Sequence, residues 1–458
     1  MKKYIGTKEF YKTTLILALP IMIQNGISNF VSLLDNLMIG VVGTNALSGV
    51  AIANQLMFVY FLVLFGATAG VGIFTAQYYG TGDTEGVRYT FRFKLIANLV
   101  LSIICIMALF IWAKPLISLY LQGEGNPEDA VETLQIGMDY LKVMLLGLIP
   151  VGITNSYAGT LRDIGETKVP MIASIVAIFV NLVGNFLLIY GYLGLPALGA
   201  IGAGVATVIS RYVEVAILII YTALHSDKYE FIKGAYRHFK VPVSLMGKFI
   251  MKSLPLMANE TLWSVGTTFL NQCYSYRSLN AVAALNIEST IWNLLGVAFL
   301  AMGEAVGIIV GQSLGRGDLS EAKLTARRLI VFTTFCGAIF GILMVAVSPL
   351  FPKLYNTSDE VRQLATQLIM VYGFLMPVYA FTHGSYFTIR SGGRTGITFI
   401  FDSCFVWVIT VPAAFYISRF TAIDIVKMVI IVQSLEIIKA VVGGFMVHKD
   451  IWVRRIVS

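Results

Sequence analysis

Long unbroken apolar stretches dominate the chain. Twelve of them stand out, at approximately 14–39, 46–76, 93–113, 137–158, 169–191, 197–223, 249–274, 281–311, 327–348, 364–388, 396–418 and 424–447. Each reaches the roughly 20 residues that a hydrocarbon layer of about 30 Å demands of one helix. A barrel strand needs only about ten residues, with alternation, so these runs predict helices rather than strands. The expected class is an all-α integral membrane protein with twelve transmembrane helices. The short polar segments between the runs are the loops.

Composition agrees. Of 458 residues, 57% are hydrophobic and 13% charged, with a mean hydropathy of +0.79. A soluble protein carries about 25% charged residues, so a set of soluble domains is excluded, as are a disordered chain and a secreted disulfide scaffold. The start, Met1-Lys2-Lys3 before an apolar stretch, has the look of a signal peptide. That stretch is too long, contains Gln24, Asn25 and Asn29, and is followed by no small-residue cleavage site, so a retained first helix is expected. Cys105, Cys273, Cys336 and Cys404 lie in or beside apolar runs and form no CxxC pair, which predicts buried thiols and no metal.

The net charge of +8 raises the question of where the basic residues sit. One set of alternate segments holds Lys2, Lys3, Lys8 and Lys12; Arg88, Arg92 and Lys94; Arg162 and Lys168; Lys228, Lys233, Arg237, Lys240, Lys248 and Lys252; Arg316, Lys323, Arg327 and Arg328; Arg390 and Arg394; and Lys449, Arg454 and Arg455, twenty-four in all. The other set holds six: Lys114, Arg277, Lys353, Arg362, Arg419 and Lys427. Basic loops face the cytoplasm, so both termini are expected inside the cell inner (plasma) membrane. The third loop, with Glu124, Glu128, Asp129 and Glu132, is expected outside. The charge therefore predicts no nucleic-acid partner.

The chain also repeats itself. Shifted by 235 residues, Leu19-Pro20 meets Leu254-Pro255 and Asn45-Ala46 meets Asn280-Ala281. Val71-Gly72-Ile73, Gln77, Gly80, Gly82 and Asp83 then meet Val306-Gly307-Ile308, Gln312, Gly315, Gly317 and Asp318. Seven identities in thirteen positions, where chance leaves about one, mark a duplication. Further on the offset drifts to 228, where Arg162 meets Arg390 and Thr167 meets Thr395. The expected plan is an N-terminal lobe at 1–224, a cytoplasmic linker at 225–247 and a C-terminal lobe at 248–458. Two six-helix lobes with a V-shaped central cleft place a substrate site between repeats. The GxGD segments lack a preceding strand and a following GK[ST], so they read as capped turns rather than phosphate loops.

Ionisable groups inside a span cost roughly 2.5–3.5 kcal/mol on insertion scales and mark function. In the first half the candidate is Asp35, in the outer part of the first span; a wetted helix end is the plain alternative. Asn181 and Asn185 in the fifth span are four apart and share a face. They serve either as glue between helices or, with Asp35, as oxygen ligands to a cation or holders of a proton. In the second half Glu260 lies well inside the seventh span, and its repeat counterpart is the neutral Asn25. Trp263 follows one turn later, and an aromatic beside an acid suits an organic cation. Glu288 and Glu304, Asp402 and Glu436 read rather as structural pairs or wetted ends, with Glu304 and Asp402 as second-tier candidates. His383 in the tenth span is a further second-tier candidate, because histidine titrates near neutrality. Arg211 and Glu214 are expected to pair with each other.

With these residues assembled, the chain resembles the multidrug and toxic compound extrusion (MATE) family, bacterial multidrug branch, over nearly its full length. The carriers are Leu19-Pro20 followed by Asp35-Asn36-Leu37-Met38-Ile39-Gly40, the stretch from Gly159 through Arg162, Gly165 and Lys168 to Pro170, Asn181 with Asn185, and Leu254-Pro255 with Glu260. The resemblance implies a twelve-helix, two-lobe exporter that exchanges drugs for protons or sodium. It implies Asp35, Asn181 and Asn185 as the first-lobe cation site and Glu260 as the second-lobe acid. Two departures stand out. Asn185 takes the place of an Asp found in one prokaryotic branch. The tenth span, from Tyr372 to Ile389, lacks the acid usual in the sodium-coupled branch, and His383 is the candidate substitute.

Two other functions are compatible with a polytopic membrane protein. A lipid-linked oligosaccharide flippase of the same superfamily would carry more spans and more Arg and Lys in its cavity. A membrane-embedded transferase would need a His–Asp or paired-carboxylate loop, and the sequence has none. No Ser/His/Asp set, HExxH, Walker A or Rossmann pattern occurs in a usable place, so no enzyme activity and no cofactor is expected. Transport then draws on a gradient of H+ or Na+. The expected partners are small-molecule drugs, organic cations and the lipid bilayer, with the chain acting as a monomer.

Overall fold

The computed structural model describes residues 5–122 and 126–457; Lys2, Lys3 and Glu124 of the charge pattern lie outside them. No strand occurs among the described residues. The helices are α1 (Lys8–Val42), α2 (Thr44–Thr81), α3 (Thr84–Tyr120), α4 (Pro127–Leu145), α5 (Leu148–Asp163), α6 (Lys168–Tyr190), α7 (Gly199–Leu224), α8 (Val243–Ser275), α9 (Leu279–Leu295), α10 (Val297–Arg316), α11 (Leu319–Val347), α12 (Asp359–Ser391), α13 (Thr395–Phe420) and α14 (Ile425–His448). Among the described residues nine are long and apolar enough to cross a membrane, and the pair α4–α5, bent by 48°, makes a tenth. With α8, α14 and the α9–α10 pair, the helices follow the twelve apolar runs in order.

Helix is the form lipid enforces, because every backbone group must be satisfied within the segment. For the same reason Pro20, Pro115, Pro255 and Pro377 sit inside helices without ending them. Side chains are inverted relative to a water-soluble fold: Phe110 is 73% exposed and Phe374 72%. Such rings suit acyl chains, not water. The helices also outrun the apolar stretches. In α3, Thr90 and Arg92 are buried ahead of the apolar run and Lys94 at its start, so polar residues inside protein extend the helix. Lys94, counted with the loop charges, bonds Asp163 at 2.7 Å. All four cysteines are free.

The chain forms two compact units. The amino-terminal unit comprises Ile23–Thr75 and Thr84–Lys248. Its core includes Val50, Leu64, Ile117 and Leu148, with the Tyr60 hydroxyl donating to the Leu148 carbonyl at 2.8 Å. The basic segment around 225–247 is seated on α3: Tyr229, Phe231 and Ala235 are buried, and Arg92 donates to the carbonyls of Ala235 at 2.9 Å and Gly234 at 2.8 Å.

The carboxy-terminal unit comprises Met1–Met22, Ala76–Asp83 and Phe249–Ser458. Ala284, Met344, Leu368, Met376 and Met428 lie in its core. Within it, the Gln77 amide donates to the Ser391 carbonyl at 3.0 Å and accepts from the Ile456 amide at 2.8 Å. Two glycines permit a close helix crossing. A Cβ on Gly80 would fall 2.1 Å from the Gln312 carbonyl oxygen, and one on Gly315 would fall 2.1 Å from that of Gln77. The GxGD turn at 315–318 behaves as predicted. Gly317 takes φ +88°, and Asp318 accepts from the Ser320 and Glu321 amides to cap α11. The Glu321 amide and the Ser320 hydroxyl hold the Asp318 carboxyl below its ordinary range.

Candidate functional site

Two groups of polar side chains sit inside the helix bundles, one in each unit. In the amino-terminal unit α1, α6 and α7 converge. Gly184 and Gly202 let α6 and α7 approach closely, since a Cβ on Gly202 would lie 2.4 Å from the Leu188 carbonyl oxygen. The Tyr190 hydroxyl donates to the Met38 carbonyl at 3.1 Å and ties α6 to α1.

Asn181 and Asn185, one turn apart on α6, are both buried. The Asn185 amide donates to Asp35 Oδ1 at 2.7 Å and reaches Asn181 Oδ1 at 3.4 Å. Asn181 donates to the Thr207 hydroxyl at 3.0 Å, which donates to the Ala203 carbonyl. The structure thus brings together the three residues singled out in the first half. Asp35 is half-buried. Asn185 Oδ1 is a buried acceptor with no hydrogen-bond partner. A carboxylate beside such an acceptor has the parts to hold a proton or a small cation. Arg211 is in electrostatic reach of Asp35 and pairs with Glu214 at 3.2 Å, as the spacing predicts.

In the carboxy-terminal unit Asn259 is the hub. Its amide donates to Asp402 Oδ2 at 2.9 Å and to the Tyr386 hydroxyl at 3.3 Å. Its Oδ1 accepts from the Ser403 amide at 3.3 Å and from the Ser403 hydroxyl at 2.8 Å. Lys439 on α14 donates to Asp402 Oδ1 at 2.6 Å and lies 3.6 Å from Glu436 Oε1. Around Asp402, α13 is wound as π-helical turns at Ile400–Cys404 and Val406–Thr410. Such turns recur at functional sites.

Glu260 follows Asn259 on α8, half-buried, within electrostatic reach of Arg390 and Asp402. His383 lies in reach of Asp402 and Lys439 and packs edge-on to Phe299 at 5.1 Å. Trp263, one turn past Glu260, is 41% exposed. Glu304 on α10 is half-buried and engaged with a neighbour. Asp402 and Glu436 are the structural pairs the sequence suggests, and their partner is the same lysine. Glu288 departs from that expectation: it is buried, and its Oε1 has no hydrogen-bond partner. Among the described residues no group of three or more His, Cys, Asp or Glu side chains forms a metal site.

Reading the sequence for acids missed Asn259, Ser403, Tyr386 and above all Lys439. A lysine in lipid is as costly as an acid, so Lys439 three residues after Glu436 was a visible signal.

Comparison with known proteins places the chain by family and by fold. The MatE family profile matches residues 20–187 and 255–416. A probable multidrug resistance protein NorM of Halalkalibacterium halodurans is 25% identical over 428 residues, covering 92% of this chain and 90% of that protein. A probable multidrug resistance protein YoeA of Bacillus subtilis is 22% identical, covering 91% and 88%. The fold matches the crystal structure of the D35N mutant of the Vibrio cholerae MATE transporter VcmN with a TM-score of 0.86 at 17% identity, over 98% of each chain. It also matches a MATE crystal structure in complex with MaL6, with a TM-score of 0.84 at 19% identity over 98% of this chain and 97% of that one.

Proposed function

The chain belongs to the MatE family, and we propose that it is a secondary antiporter exporting amphipathic, mostly cationic organic compounds in exchange for protons or sodium ions by alternating access. Its relatives are multidrug resistance proteins, so it is a multi-pass membrane transporter and not an enzyme. The observation that carries the finer reading is a carboxylate placed among buried amides in each unit: Asp35 against Asn185, and Glu260 beside Asn259 and Asp402.

Antiport requires cargo and ion to favour opposite-facing states, since a ligand shifts an equilibrium only by its differential affinity. A carboxylate supplies that difference. Charged and open to the cytoplasm, Glu260 attracts an amphipathic cation, with Trp263 offering its ring. Neutralised by an ion from outside, it has no charge to offer and the cargo leaves. Asp35, with Asn181 and Asn185, holds the ion in the other half. In this reading the repeat lobes are 1–224 and 248–458, joined by 225–247, with both termini cytoplasmic and one chain sufficient for transport. The supporting observations are the loop-charge asymmetry and the 235-residue repeat.

The test is efflux of a fluorescent organic cation from proteoliposomes, under a pH gradient alone and then a sodium gradient alone. Efflux driven by at least one of them is expected. Equilibration without response to either overturns the antiport reading.

A further inference from the structure

We propose that Lys439 is a counter-cation built into the acid cluster of the carboxy-terminal unit, standing where a free alkali-metal ion would otherwise be needed and leaving a proton as the cluster's exchangeable cation. This rests on the transport reading above and names the coupling ion at this site.

A hard cation is held by several oxygens at once. Here those oxygens are already engaged. Asp402 Oδ1 takes Lys439 Nζ at 2.6 Å, and Oδ2 takes the Asn259 amide at 2.9 Å. Asn259 Oδ1 takes the Ser403 hydroxyl at 2.8 Å, and the Tyr386 hydroxyl takes the Asn259 amide at 3.3 Å. Glu436 Oε1 faces Lys439 at 3.6 Å. A metal ion entering the cluster has to displace the Lys439 ammonium from Asp402 Oδ1 or sit against a charge of its own sign. A proton needs one lone pair on one carboxylate.

The charges agree with the oxygens. Three acids meet through Asp402 on α13, which acts on both Glu260 on α8 and Glu436 on α14. Two fixed cations act on them, Lys439 on α14 and Arg390 on α12. His383 on α12 adds a charge only when protonated. Three against two leaves room for one added positive charge, and uncompensated charge in a low-dielectric interior is what a fold avoids. A proton on Glu260 supplies it. With the ammonium of Lys439 removed, two positive charges are missing, and Asp402 Oδ1 and Glu436 Oε1 face one vacated spot.

Lys439 also has a counterpart. The 228-residue offset that aligns Arg162 with Arg390 places Arg211 under Lys439. Arg211 pairs with Glu214 on its own helix, whereas Lys439 crosses to Asp402 on α13. The same position therefore holds a partly exposed arginine paired along its own helix in one unit and a buried cross-helix tether in the other.

The test measures the unfolding temperature of the purified full-length chain at alkaline pH as NaCl replaces choline chloride at constant ionic strength. A cation that binds only the folded state raises that temperature in a saturable way. Wild type should show no sodium-dependent rise beyond one that Asp35→Asn removes. Lys439→Met should acquire one, and adding Asp402→Asn should abolish it. A rise in wild type that Glu260→Gln removes overturns the proposal, as does a folded Lys439→Met protein with no rise. Should Lys439→Met not fold, Asp35→Asn and Asp35→Asn with Lys439→Arg carry the test: with the amino-terminal site silenced both stay insensitive to sodium, and a saturable rise in either contradicts the assignment. The measurement needs no transport, so its failure is distinct from that of the antiport reading, which shows as absent gradient-driven efflux by wild type.

Discussion

The two polar sites solve one problem differently. In the amino-terminal unit a single acid, Asp35, meets two amides, and a buried amide oxygen on Asn185 is left without a partner. In the carboxy-terminal unit Asp402 has both oxygens bonded, and Lys439 supplies a cation from within the protein. The first arrangement leaves a buried acceptor beside its acid. The second is closed except for Glu260. A duplicated framework therefore need not carry duplicated chemistry. Glu260 stands opposite Asn25, and Asp35 stands opposite the buried Leu270.

The largest effect that tests this contrast is expected at Asp35. Asp35→Asn should reduce gradient-driven efflux to background while the protein inserts and folds, because Asp35 is the one acid of its site. Wild-type efflux by a folded Asp35→Asn protein removes the amino-terminal site from the mechanism. The next effect is on stability. Breaking one partner of a buried ion pair costs about 3–5 kcal/mol, so Lys439→Met should destabilise strongly. Its counterpart Arg211 is partly exposed while its partner Glu214 is buried, and Arg211→Met should cost less than Lys439→Met, because it strands one acid where the loss of Lys439 strands two. Denaturant unfolding of both variants in one detergent decides it; equal losses would erase the contrast between tether and partly exposed pair.

The smallest effect is at the repeated turns. Asp318 caps α11 and its carboxyl is held below the ordinary 3.8. A depressed acid contributes stability that is complete above its unfolded value and is lost as pH falls through the folded one. Asp318→Ala should lower the unfolding temperature slightly near neutrality, and wild type and variant should converge in acid below that range. A difference that persists there would show that the cap does not act through its charge.

Most of the helical framework was legible because lipid imposes one rule on every span: a long apolar run must close its own hydrogen bonds as a helix. The Asp35–Asn185 pair was legible too, since a lone acid in the first span and two amides at i, i+4 leave few ways to be satisfied. The second site was only half visible. Glu260 and Asp402 were recognised as acids, but the bond between Asp402 and Lys439 joins residues 37 apart on different helices, and nothing local announces it. The partner of a buried charge is chosen by helix packing, which periodicity does not reveal. Glu288 was misjudged for the related reason that an apolar run conceals whether a carboxyl inside it finds a donor.

The central claim is that cargo and ion compete for the same carboxylates. By linkage, a drug that displaces a proton must release it into solution. The most direct measurement is therefore proton release when a saturating organic cation is added to the purified protein in weakly buffered detergent. Wild type should release protons on binding, and Glu260→Gln should release fewer and bind the drug more weakly. Saturable binding by wild type with no protons released, and an unchanged Glu260→Gln, would contradict the account.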